Sequence, residues 1–225
     1  MALRSRVAKS LPARVIAVDD DIREGIRAMR RKCHVIRQMH KLAGDPPLRR
    51  REAGFEGLAR IIVSQQLSVA SANAIWTRFA DVVQPMDAAT VLEKNDDELR
   101  SAGLSRPKMR TLRALSVAIV EEGLLLDQLD HLNEEEVHAA LTRVSGIGPW
   151  TADIFLMFCL GRADSFAAGD LALQEAVRMA FELDERPNAK ELLEIAERWR
   201  PWRAVAARLL WGYYKVVKER EGVTS

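Results

Sequence analysis

Between two amphipathic runs of the 225-residue chain stands Val144-Ser145-Gly146-Ile147-Gly148-Pro149-Trp150-Thr151-Ala152. Two glycines flanking one apolar residue let the backbone turn tightly and approach another backbone closely. The amides of Gly146 and Gly148 can then face outward at the N-terminus of the following helix. There the helix dipole and unpaired N–H groups favour an anion. Ile147 can anchor the turn in the core. A plain corner between two helices explains the same residues, because a lone GxG is a weak motif.

The remainder reads as helix, with no sustained period-2 alternation. Asp20–Leu42 carries Ile22, Ile26, Met29, Cys33, Ile36 and Met39 at helical spacing and stops at Gly44-Asp45-Pro46-Pro47. Phe55, Leu58, Ile61 and Ile62 mark a second helix ending near Ser64-Gln65-Gln66. Ala72, Ile75, Trp76 and Phe79 share a face of a third. Asn95 with Glu98, and Asn133 with Glu136, form cap-and-box pairs that open two more. Helices over Pro107–Glu122, Trp150–Leu160, Asp170–Glu182, Lys190–Arg198 and from Pro201-Trp202 to about Lys218 complete an all-α chain.

Composition agrees with a folded domain: 48% apolar and 29% charged residues. No apolar run approaches the roughly 18 residues of a membrane span. The basic opening, MALRSRVAKSLPARV, lacks an apolar stretch and a small-residue cleavage site, so no secretory signal is expected. Two cysteines, Cys33 and Cys159, cannot supply a disulfide framework or a four-thiolate cluster. The four histidines form no metal-binding spacing, and a reducing compartment is expected. Residues 1–60 hold 15 Lys and Arg against 7 Asp and Glu, whereas residues 61–225 hold 19 against 25. Such asymmetry suits an anionic partner, or equally a solvated helix face.

The hairpin resembles the helix-hairpin-helix of the DNA glycosylase superfamily that includes endonuclease III. In that superfamily a Gly/Pro-containing loop and an essential Asp follow about 20 residues later. The matching stretch here is Ser165-Phe166-Ala167-Ala168-Gly169-Asp170. Phe55-Glu56-Gly57-Leu58 through Ser68, Gly103 through Lys108, and Glu197 through Arg203 resemble the alkylbase branch, of 3-methyladenine DNA glycosylase II type. The resemblance covers about residues 45–215. It implies two helical lobes, about 1–52 plus 165–225 and about 53–164 with the hairpin at 144–150, and an active site in the cleft between them. The extra β-rich domain of some members is not expected, since only about 45 residues precede the core.

The resemblance also implies roles. Asp170 is the catalytic carboxylate; as a residue type it is equally a good N-cap, and the two roles are compatible. Trp150 and Trp211 sit where relatives hold pocket tryptophans, whose faces attract a flipped, cationic base. Ile154 and Leu171 stand at aromatic pocket positions, as does Gly212, which predicts a roomier pocket. Gln65, Gln66 and Leu67 form the turn that enters the DNA stack, Gln66 or Leu67 being the wedge. Arg106 and Lys108 lie at a helix start, where the dipole disfavours cations unless a phosphate sits there too. Gly146, Ile147, Gly148 and Thr151 would hold the DNA backbone. Carbonyls of Thr142, Val144 and Ile147 would hold a Na+ or K+ ion, with no other cofactor. Lyase relatives carry Lys where this chain has Trp150, so strand cleavage is not expected.

The expectation is a monomeric, monofunctional glycosylase that removes alkylated purines from double-stranded DNA during base excision repair. It would work in the nucleoid-bearing cytoplasm of a bacterium or the nucleus of a eukaryote. Its rivals are a non-catalytic DNA-binding module, a glycosylase for oxidised or mismatched purines, and a helical scaffold without nucleic acid. Release of free 3-methyladenine or 7-methylguanine from alkylated DNA separates the first from the expectation, and the missing lyase Lys and cluster cysteines argue against the second.

Overall fold

The computed structural model describes residues 14–220 and 222. The basic opening stretch and the start of the proposed 1–52 segment lie outside the described residues. Twelve α-helices are described: α1 (Asp19–Lys32), α2 (His34–Ala43), α3 (Phe55–Ser64), α4 (Val69–Val82), α5 (Ala88–Glu93), α6 (Asp96–Ser101), α7 (Arg106–Val120), α8 (Glu134–Thr142), α9 (Pro149–Phe155), α10 (Leu171–Ala180), α11 (Ala189–Ala196) and α12 (Arg203–Arg220). Among the described residues the only extended pairing is an isolated antiparallel bridge, Val15 with Arg162. Among the described residues no helix is long and apolar enough to cross a membrane.

Two expected helices are divided. Asp20–Leu42 breaks at Cys33, whose backbone is extended at φ −128° and ψ 117°. The break lets α2 pack along α12 while α1 contacts both. Trp150–Leu160 is α-helical only to Phe155 and continues as a π turn over Leu156–Leu160. The six-residue α5 and a 3-10 turn at Leu126–His131 were not legible, because elements so short show no apolar period. The expected caps are present: Asn95 accepts from the amides of Asp97 and Glu98, and Asn133 from that of Glu136.

α1, α2, α10 and α12 pack on one another, and α3 joins α4, α7 and α9. The first half of α12, Arg203–Leu210, is buried along its whole circumference. Trp199 is wholly buried and Trp76 and Trp202 nearly so, as core tryptophans should be. This packing holds the starts of α9 and α10 and the middle of α12 near one point.

Candidate active site and DNA interface

Asp170 caps α10. Its Oδ1 accepts from the backbone amides of Ala172 (2.9 Å) and Leu173 (3.0 Å), donors that no helical carbonyl can reach. The same oxygen accepts from Trp211 Nε1 of α12 (3.1 Å), and Oδ2 accepts from Trp150 Nε1 of α9 (2.8 Å). Two indoles and one helix N-terminus thus fix a single carboxylate. Every group bonded to it is an N–H donor. Oδ1 already takes three bonds; Oδ2 takes one and keeps acceptor capacity for a reactant. Leu171, the next residue, is 61% exposed and flanks this carboxylate in the chain. Ile154, one turn beyond Trp150, is 6% exposed and packs in the core.

Trp211 also lines a cleft of about 780 Å³. Leu67, Ser68 and Val69 form one part of its wall, and Phe158, Arg208 and Gly212 another. The Phe158 and Trp211 rings lie 5.8 Å apart, tilted by 32°. Phe158, in the π turn, carries no signal in the sequence that would single it out among core residues. Arg208 did leave one, as a lone charge in the apolar run Ala204–Trp211, three residues before the pocket tryptophan.

The turn between α3 and α4 divides its labour. Gln65 is half-buried and donates through Nε2 to Thr151 Oγ1 (2.8 Å), tying the turn to the start of α9. Thr151 is 2% exposed, so its side chain serves this bond rather than the surface. Gln66 is exposed and left-handed at φ 57°, and Leu67 is 37% exposed. Gln66 and Leu67 are therefore the members of the turn free to project.

At the hairpin, Val144 and Ile147 are buried and the Ile147 amide donates to the Val144 carbonyl (3.0 Å). Gly146 is left-handed at φ 88°, and a Cβ there would strike the Thr111 side chain. Gly148 is the N-cap of α9, and a Cβ there would meet nothing within 4 Å. The N–H groups of Gly146 and Gly148 have no acceptor among the described residues. The Thr142 and Ile147 carbonyls likewise have no donor, and the Val144 carbonyl keeps one lone pair. Carbonyl oxygen is a hard donor of the kind that hard cations take.

Lys108 differs from expectation. Its ammonium turns inward and donates to the Val63 carbonyl (2.7 Å), and burial lowers its pKa. The position looks wrong for the N-terminus of α7 but is right for the C-terminus of α3, whose last carbonyls need donors. Arg106, one turn start away, remains exposed.

The model of the HhH-GPD superfamily base excision DNA repair proteins matches residues 59–201. DNA-3-methyladenine glycosylase 1 of Schizosaccharomyces pombe is 33% identical over 162 residues, 70% of this chain and 71% of that protein. Bacillus subtilis YfjP is 31% identical over 165 residues; the chain spans only 58% of its length. The solved structure of the S. pombe 3-methyladenine DNA glycosylase Mag1, in complex with abasic DNA, superposes with a TM-score of 0.77 at 28% identity. It covers 84% of this chain and 95% of that one.

Proposed function

The chain belongs to the HhH-GPD superfamily of base excision DNA repair proteins, and from that premise we propose that it is a monofunctional glycosylase for alkylated purines in double-stranded DNA. The observation that carries the proposal is the Asp170 carboxylate, held by both pocket tryptophans at a cleft that Trp211 lines. Relatives are named 3-methyladenine glycosylases, which supports the substrate class.

Purines alkylated at N3 or N7 are cationic and leave as neutral molecules, so no second acid is required. As the N-glycosidic bond breaks, its electron pair goes to the base and positive charge grows on the sugar. Asp170 Oδ2 faces that charge and orients the water whose oxygen bonds to the anomeric carbon. Trp150 and Trp211 contribute faces for a flipped base and N–H groups that hold the carboxylate. Gln66 or Leu67 fills the vacated stack. The free amides of Gly146 and Gly148, with exposed Arg106, take backbone phosphates. A Na+ or K+ ion on the Thr142, Val144 and Ile147 carbonyls would stiffen the hairpin. The protein acts as a monomer, wherever the cell keeps its DNA.

Trp150 occupies the place of the lyase lysine, and the inward Lys108 is committed to Val63, so the product is an intact strand bearing an abasic site. The test is incubation with methylated duplex DNA, scoring released 3-methyladenine and 7-methylguanine. Strand breaks are expected only after alkali, with no adduct trapped by borohydride. An adduct lost on mutating one lysine would overturn the monofunctional assignment. A folded protein that binds duplex yet releases no base from any lesion would favour a binding module.

A further inference from the structure

One wall of the cleft carries positive charge that base excision as derived above does not use. Arg49, from the connection between α2 and α3, and Arg208, from α12, line that wall, and Arg50 and Arg51 follow Arg49 in the chain. Arg208 is 3% exposed. Its guanidinium meets carbonyls alone: Nε donates to Leu48 (3.2 Å), Nη1 to Ala204 (2.9 Å) and Nη2 to Met157 (2.8 Å). It also lies over the Phe158 ring, 4.4 Å from the centroid. Among the described residues no carboxylate pairs with Arg49, Arg50, Arg51 or Arg208, whereas Arg23, Arg100 and Arg178 each have one. Glu219, which also lines the cleft, is engaged by Lys215 at 3.6 Å.

Such an arrangement is unfavourable in the protein alone. A buried cation without a counter-charge is costly, and like charges beside it add to the cost. Burial pushes Arg208 down to about 9, and Arg50 and Arg49 press in the same direction. Arg51 is lowered by burial too, with Arg60 and Arg49 contributing. Arg49 is in addition left-handed, at φ 50°, a conformation rare for any residue other than Gly, Asn or Asp. Backbone outliers of this kind concentrate at ligand clamps. Arg49 is exposed and lines the same cleft as Leu67 and Trp211.

We infer that Arg49, backed by Arg50 and by the fixed charge of Arg208, is an anion site that holds a DNA backbone phosphate at the α12 wall of the cleft. It is separate from the glycine hairpin, none of whose residues lines that cleft. The inference rests on the DNA glycosylase function proposed above. A phosphate there relieves the uncompensated charge, and the left-handed backbone presents the Arg49 side chain toward it.

The test compares wild type, Arg49→Gly and Arg49→Lys for affinity to an abasic-site duplex across a salt titration. Gly keeps the left-handed backbone without strain, so the folded state survives while the charge is lost. Losing one phosphate contact lowers the slope of log K against log salt by about 0.9, which is about eightfold in affinity at roughly 0.1 M salt. Arg49→Gly is expected to show that loss with an unchanged or raised Tm, and Arg49→Lys to keep most of the slope. A slope unchanged in Arg49→Gly, with wild-type binding and excision intact, overturns the site and leaves the glycosylase proposal standing. Thermal stabilisation of wild type, but not of Arg49→Gly, by inorganic phosphate without any change in the DNA slope also overturns it, since the anion is then a free one. Wild-type protein that neither binds duplex nor releases a base overturns the function, and the site with it.

Discussion

At the residue scale, two side chains turn the capping carboxylate into a site. Asp170→Asn retains a capping oxygen, because Asn is as good an N-cap, but loses the charge. Base release from methylated duplex is expected to fall by about 100-fold or more, the scale of removing one electrostatic stabiliser, while duplex affinity stays near wild type and Tm drops, because the amide NH2 faces Trp150 Nε1 where an acceptor stood. Near-normal release from a folded variant would rule out the carboxylate as the reacting group. Trp150→Phe separates the two uses of the indole: the aromatic face stays, and the one bond to Asp170 Oδ2 goes. Hydrogen bonds to charged groups are worth about 1.5–3 kcal/mol, so a drop of about tenfold or more in excision is expected. Trp211→Phe should cost less, because Oδ1 keeps the two α10 amides. Equal single-turnover rates for Trp150→Phe and wild type would show that stacking alone matters.

At the element scale, the two hairpin glycines do different things. Gly146 is left-handed and abuts Thr111 of α7, so Ala there meets both strain and a clash. Gly146→Ala is expected to lower stability by about 1–2 kcal/mol or more in urea unfolding. Gly148 has an ordinary φ of −95° and open space around its Cα. Gly148→Val meets neither strain nor clash and loses only the preference for Gly at an N-cap, so it is expected to cost about 0.5–1 kcal/mol, less than Gly146→Ala. It should nevertheless weaken binding to every duplex alike, since the open space is where a phosphate approaches. A loss confined to lesion-bearing duplexes would contradict a backbone contact. The cap-and-box pairs at Asn95 and Asn133 could be named from four residues each, because capping is a local matter. Lys108 could not: its partner, Val63, is 45 positions away, and a helix dipole seen from one helix alone pointed the wrong way.

At the scale of the whole molecule, burial makes stability depend on pH through Asp153. Burial, with Glu134 nearby, raises its carboxyl to about 7, while Arg203 opposes. His138 Nε2 stands 3.7 Å from Oδ1. The unfolded chain releases this proton near 3.9. Between about 4 and 7 the native state therefore holds the proton that the unfolded state has lost. Its contribution to stability is complete below about 4, declines as pH rises, and is gone above about 7. Asp153→Asn should remove that decline and raise stability at pH 8 by about 1–3 kcal/mol, read from urea midpoints across pH. A pH profile identical to wild type would exclude Asp153 as its source.

Sequence alone determined the helices long enough to show an apolar period, the capping residues, the glycine hairpin and the order of motifs that marks the family. These are local properties, set by backbone geometry within a few residues. Asp170, Trp150 and Trp211 were nameable for the same reason: each stands in a recognisable stretch. Tertiary structure decided what they do together, since two indole N–H groups from α9 and α12 reach one carboxylate across 20 and 41 positions. It also decided that Gln65 and Thr151 serve each other, that Lys108 closes another helix, that Ile154 is core, and that Arg208 is buried beside Arg49 and Arg50 without a counter-charge. Each of these depends on which surfaces the packed helices bring within hydrogen-bond or Coulomb range, and no pattern along the chain encodes that distance.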